Sequence, residues 1–199
     1  MTQRAFVGTS TVRRTYTDEL GTLVAPASVT CTAAADDGTT VSLGALTNPS
    51  TGVYTRTMTV LVPTLVSVTW VADGVTAVDT IDVQAGPYIT VAELIASDDT
   101  LATKSASLLA DSIEDAEAEC AALTGQAWTR RYTVQQAVAR GGRVVLAWPI
   151  VARVGRVSTT LYGTTTTLDT GSYWLEPGGL SVPAADGALV EVGYEHGAI

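Results

Sequence analysis

The strongest constraint on this chain is the alternation of apolar and polar residues from Thr11 to Val83, cut at short intervals by turn residues. A period of two places every second side chain on one face, so such runs fold as half-buried strands of an antiparallel sandwich. Val12 to Tyr16 runs into the turn residues Thr17-Asp18-Glu19-Leu20-Gly21, and Val29, Cys31 and Ala33 alternate before Asp36-Asp37-Gly38. Val41 and Leu43 follow, then Val53 to Val60 and Val66 to Ala72 on either side of Pro63. A last hairpin turns at Asp73-Gly74, where a tight connection needs positive φ, and leads into Val75 to Val83.

About seven strands in about 75 residues is the immunoglobulin-like spacing, with Trp70 as the core plug. Apolar residues make up 46% of the 199 and charged residues only 16%, a globular and not a disordered composition. That length suits two small domains, and the character of the sequence changes at Gly86-Pro87. The expected division is therefore a β-sandwich over 1–86 and a second domain over 87–199.

The second domain opens with Thr90-Val91-Ala92-Glu93, a capping box that starts a short helix. From Ser105 to Leu123, Leu109, Ile113, Ala116, Cys120 and Leu123 recur at three- and four-residue steps and predict one apolar helical stripe. Thr124-Gly125 ends it with a residue able to turn left-handed. Strands are expected over 130–137, 144–148, 149–157, 159–168, 172–175 and 188–194. The fold class is thus an all-β sandwich followed by an α+β domain, helical and then β-rich.

Charge sharpens the functional reading. The chain carries −9, which argues against holding nucleic acid by phosphate neutralisation. From Val91 to Leu123 eight acids face one lysine, net −7, and Asp111, Glu114, Asp115 and Glu119 form a candidate acidic face for a lumen or a subunit interface. Arg13-Arg14, Arg130-Arg131 and Arg140 with Arg143 read as interface or exposed strand positions.

Nothing in the pattern assembles a catalytic, metal or cofactor site. The one histidine, His196, lies close to the C-terminus and reads as a surface residue, so a nucleophile has no base beside it. One histidine and two scattered cysteines make no ordinary zinc site, and Asp36-Asp37-Gly38 is turn chemistry without calcium-loop spacing. Cys31 and Cys120 fall in different domains and read as buried apolar residues instead of a disulfide. Glu114 and Glu117 at helical spacing read as a solvated or subunit-facing edge, and Gly141-Gly142 and Gly178-Gly179 as hairpin turns. The N-terminus enters no apolar leader and no stretch is long enough to span a bilayer, so cytoplasmic synthesis and no membrane partner are expected.

Leu109, Ile113 and Glu117, then Thr124-Gly125-Gln126-Ala127-Trp128, then Trp148-Pro149-Ile150 and Val154 to Val157, with Tyr173 and the closing Val190 to Tyr194, resemble the bacteriophage head-to-tail connector family of the head-completion adaptor type. The resemblance covers Tyr88 to Tyr194, and its motif positions are Leu109, Ile113, Glu117, Thr124, Gly125, Trp128 and Pro149. It implies a dodecameric homo-oligomeric ring beneath the portal protein, in the virion at the head-tail interface, with the next connector or a tail protein below. Phage DNA would pass through the channel without sequence-specific binding. The same resemblance implies no enzyme activity, no catalytic residue and no cofactor. The sandwich in front is similar to accessory immunoglobulin-like modules of virion proteins. A competing reading is a β-rich binding module, an adhesin or carbohydrate-binding protein, for which Trp70, Trp128, Trp148 or Trp174 would be exposed platforms.

Overall fold

Every second residue from Thr64 to Ala72 is sealed from solvent, which is the alternation above turned into a core. The computed structural model, which describes residues 3–197, is mostly β-sheet arranged in several sheets. The chain divides into two compact units, Met1–Gln84 and Ala85–Ile199.

In the first unit β1 (Gln3–Phe6), β2 (Gly8–Thr15), β3 (Val29–Ala35), β4 (Thr47–Ser50), β5 (Val53–Val60), β6 (Thr64–Ala72) and β7 (Val75–Gln84) build two sheets, ordered β1-β7-β6-β3 and β2-β5-β4. Val66, Val68, Trp70, Ile81 and Val83 of one sheet share a buried cluster with Val12, Tyr54, Met58 and Val60 of the other. Trp70 is 1% exposed, as its expected place in the core requires. The hairpin between β6 and β7 pairs Ala72 with Val75, and Asp73 and Gly74 both take positive φ, 48° and 82°. That primed turn matches the twist of the two strands. The Asp73 carboxylate also accepts from the backbone N–H groups of Ala27 and Ser28, which fastens the hairpin to the start of β3 and lowers the carboxyl pKa.

Two strands escape the alternation. β1 pairs parallel to β7, and β4, with Pro49 inside it, pairs only with β5. Both are short edge strands, where one side of the backbone needs no partner and the side chains bury little, so no apolar period marks them. Val41 and Leu43, expected as a strand, lie outside the named strands: Val41 is buried in the core and donates its N–H to the Ala33 carbonyl, and Leu43 meets Met58 in an isolated bridge.

The second unit begins with α1 (Val91–Ser97), closed by the Thr90–Glu93 capping box in both directions. A 3₁₀ turn, Asp99–Thr103, leads to α2 (Ala106–Thr124), which Ser105 caps at its start and left-handed Gly125 at its end. Then come β8 (Arg131–Val138), β9 (Arg143–Val145), β10 (Val151–Leu161), β11 (Thr164–Thr167), β12 (Trp174–Glu176), β13 (Gly179–Ser181) and β14 (Leu189–His196). They form a four-stranded sheet, β11-β10-β14-β8, and a three-stranded one, β12-β13-β9. Val144, Val157, Leu180, Val190, Val192 and Tyr194 make the shared core.

Several expected boundaries move. The run expected over 159–168 is broken by a turn at Tyr162 and Gly163, both at positive φ. Gly178 turns as expected, but Gly179 begins β13. The stripe on α2 is covered over only half its length: Leu109 and Ile113 are buried, whereas Cys120 is exposed and Leu123 is 79% exposed.

Trp70 fills the space between the two sheets of the first unit, so Trp70→Ala is expected to cost about 3–5 kcal/mol through lost burial and the cavity left behind. Urea unfolding followed by circular dichroism measures this; a loss below about 1 kcal/mol would contradict the packing role.

Candidate functional site

The uncovered half of α2 forms one wall of a groove of about 450 Å³. Ile113, Ala116 and Cys120 supply that wall, Leu94 of α1 and Ile89 the other, and Tyr88 and Trp128 complete the lining. The two aromatic rings meet edge to face, with centroids 6.4 Å apart. Glu117 sets the position of these parts: its carboxylate accepts from the Tyr88 backbone N–H and lies 3.3 Å from an Arg131 guanidinium nitrogen. One helical side chain thereby ties α2 to the segment before α1 and to the first residue of β8. The expected solvated or subunit-facing edge is corrected at Glu117, since its side chain is only 13% exposed and is engaged within its own unit.

The candidate acidic face separates. Asp111, Asp115 and Glu119 are exposed, and their four-residue spacing stacks them in one row along α2, whereas Glu114 is half-buried and falls outside that row. Of the motif positions, Leu109 and Ile113 are core, Thr124 donates its hydroxyl to the Cys120 carbonyl, Gly125 caps the helix, Trp128 lines the groove and Pro149 is exposed before β10. Among the described residues no three His, Cys, Asp or Glu side chains gather as a metal site. Cys31 is buried and unbridged, but Cys120, expected to be buried, is open to solvent in the groove.

His196 overturns its expectation as a surface residue. It is 1% exposed, it closes β14, and its ring stacks on Trp148 with centroids 4.6 Å apart and planes 8° from parallel. Nε2 lies 3.1 Å from the Thr133 hydroxyl, while Nδ1 is buried without a hydrogen-bond partner among the described residues. Burial, and then the charge of Arg131, lower its pKa to about 4. Beside it the Glu195 carboxylate, 3% exposed, sits 3.2 Å from Arg130 and 3.5 Å from Arg153. Gly197 then enters a space in which a Cβ would stand 2.3 Å from the Thr129 carbonyl oxygen, so the backbone here is enclosed. Glu195 and His196 are thus part of the sheet and its core; Ala198 and Ile199 lie outside the described residues. The missed signal was the short reach of β14: Glu195 and His196 look like a strand's polar end, and only their partners, distant in sequence, bury them.

Of the four tryptophans, Trp70 is buried and Trp148 half-buried, while Trp128 and Trp174 are 43% and 58% exposed. No protein-family model and no curated protein matches the chain. Among solved structures it is similar to a crystal structure of the Lin-41 filamin domain, at 17% identity over 42% of this chain and 85% of that one, with a TM-score of 0.38.

Because His196 is held neutral in the fold and takes a proton freely when unfolded, stability should fall as the pH drops from about 6.5 to about 4, by about 3 kcal/mol in all. His196→Phe keeps a ring against Trp148 and should flatten that slope; urea midpoints across the pH range measure it, and an unchanged slope would remove the assignment. Glu195→Ala leaves two guanidiniums facing each other and should cost about 3 kcal/mol at neutral pH, read from the same unfolding curves.

Proposed function

We propose that the chain is a structural virion subunit: an immunoglobulin-like sandwich followed by an α+β head-to-tail connector domain that assembles into a ring between portal and tail. The observation that carries this reading is the half-covered stripe of α2. Ala116, Cys120 and Leu123 continue the apolar row of Leu109 and Ile113 past the point where the unit's own residues cover it. An apolar groove left open within the stretch that resembles the connector family supports a partner supplied by assembly.

In this reading the ring has about twelve subunits, as the resemblance implies, with one surface repeated around a single axis. It joins the portal protein above to the next connector or tail protein below and lines the DNA exit channel in the virion. The net charge of −9 supports passage without retention, since a basic lining would grip the phosphates. The role is scaffolding, without catalysis or cofactor, and the sandwich serves as a spacer or ring stabiliser.

One observation favours a second reading. Trp174 is 58% exposed with its indole N–H held by Glu176 at 3.0 Å, an arrangement suited to a carbohydrate platform in a β-rich binding module.

Quantitative mass spectrometry of purified virions decides between them. The connector reading expects about twelve copies per particle. Absence from virions, with glycan binding that Trp174→Ala abolishes, would replace it by the binding module.

A further inference from the structure

We propose that His196 is an acid-operated latch at the end of β14: a proton on its ring drives His196 and Gly197 out of the fold and uncovers the 127–131 segment, while the rest of the second unit stays packed. The device is independent of whether the chain serves as a ring subunit or as a binding module.

The site is closed to a cation by its geometry. The His196 ring is 1% exposed, lies flat against Trp148 and stands beside Tyr194, centroids 5.8 Å apart. A protonated imidazole carries an N–H on both nitrogens. Nε2 has the Thr133 hydroxyl, but Nδ1 has no acceptor among the described residues, so the second N–H would be buried unmet. Around the ring, β8 presents the Arg131 guanidinium, itself paired with Glu117 of α2, and β14 presents the Tyr194 hydroxyl, which donates to Gln135. Glu195 belongs to the opposite face of the strand, where Arg130 and Arg153 hold it. The neighbouring charge thus has the sign that a proton would add, and it acts with burial to keep the ring neutral.

The position of His196 decides what opens. It is the last residue of β14, paired with Arg131 of β8 on one side and Val151 of β10 on the other. The ring stack, the Thr133 contact and the Gly197 N–H donated to the Ile150 carbonyl hold it there. Strand ends open at a lower free energy than the core of a sheet. These two residues can leave without disturbing Val190, Val192 and Tyr194, and the Glu195 ion pairs, one position inward, mark where the opening stops. Gly197 lies close against the carbonyls of Thr129 and Ala127, so its departure bares the segment that joins α2 to β8 and carries Trp128 of the groove wall.

Once free, the ring takes a proton near its ordinary pKa of about 6.5, whereas the closed ring excludes it down to about 4. The open state binds the extra proton, so its population relative to the closed state rises about tenfold for each pH unit from about 6.5 down to about 4 and levels off outside that window.

Native-state hydrogen exchange on the full chain at about pH 7, 6 and 5, with intrinsic rates divided out, reads the opening constants. The Gly197 amide should open at least about a hundredfold more readily than those of Val190 and Val192, and amides over 127–131 should follow Gly197. The Gly197 constant should rise about tenfold between about pH 6 and pH 5. His196→Phe, which keeps a ring on Trp148, should remove that rise; His196→Gln should remove it too, and serves if the Phe variant does not fold. Equal constants at Gly197 and Val192 would make the event global unfolding, and amides over 127–131 that follow Val192 instead would detach the segment from the latch. A rise that persists in either variant, or is missing from the native chain, would place the titrating group elsewhere. Each of these results overturns the proposal.

Discussion

A carboxylate withdrawn from water must be met where it lies, and in the second unit that demand falls on Glu195. Arg130, just before β8, and Arg153 on β10 reach it from two sides of β14, so one buried charge links three parts of the main sheet. The next residue along, His196, completes the layer by stacking on Trp148. Arg131, adjacent to Arg130, turns instead to Glu117 and brings α2 to the same end of the sheet. The attachment of α2 thus depends on Arg131 and on Leu109 and Ile113. Cys120 and Leu123 lie past the last of these anchors and stay exposed.

The first unit has no comparable asymmetry. Its two sheets satisfy each other around Trp70, and its polar fastenings, Asp73 to the start of β3 and Arg14 to Asp79 at 2.7 Å, serve the sandwich itself. Arg56 behaves alike, donating to the carbonyls of Gly44 and Cys31 and thereby closing the irregular segment around Val41. These side chains thus act on the fold of the unit that carries them.

What could be read in the sequence was local chemistry. Asp73-Gly74, the Thr90–Glu93 box and Gly125 each state a backbone conformation within a few residues, and each is found where the residues place it. Trp70 was legible because Val66, Val68 and Trp70 alternate with Ser67 and Thr69. β1 and β4 were not, since edge strands recruit backbone hydrogen bonds without an apolar period. His196 was illegible for a different reason: polarity near a chain end signals solvent, and the partners that reverse this are about 40 to 65 residues away in sequence. For Ala116, Cys120 and Leu123 the sequence correctly marks an apolar stripe, but periodicity states only that a face wants cover. Whether the cover comes from the same chain or another is a question of topology.

On α2 the acidic row and the apolar groove face different ways. Turning about 100° per residue, the helix sets Asp111 opposite Cys120, with Asp115 and Glu119 on the flank between them. At physiological ionic strength a charge is screened within about 8 Å, so a particular row matters only to what passes very near it. A surface that holds nucleic acid requires a basic stripe, and a chain of net −9 in which Arg14, Arg130, Arg131, Arg143, Arg153 and Arg156 are each met by an acid of the same chain offers none of these six for one.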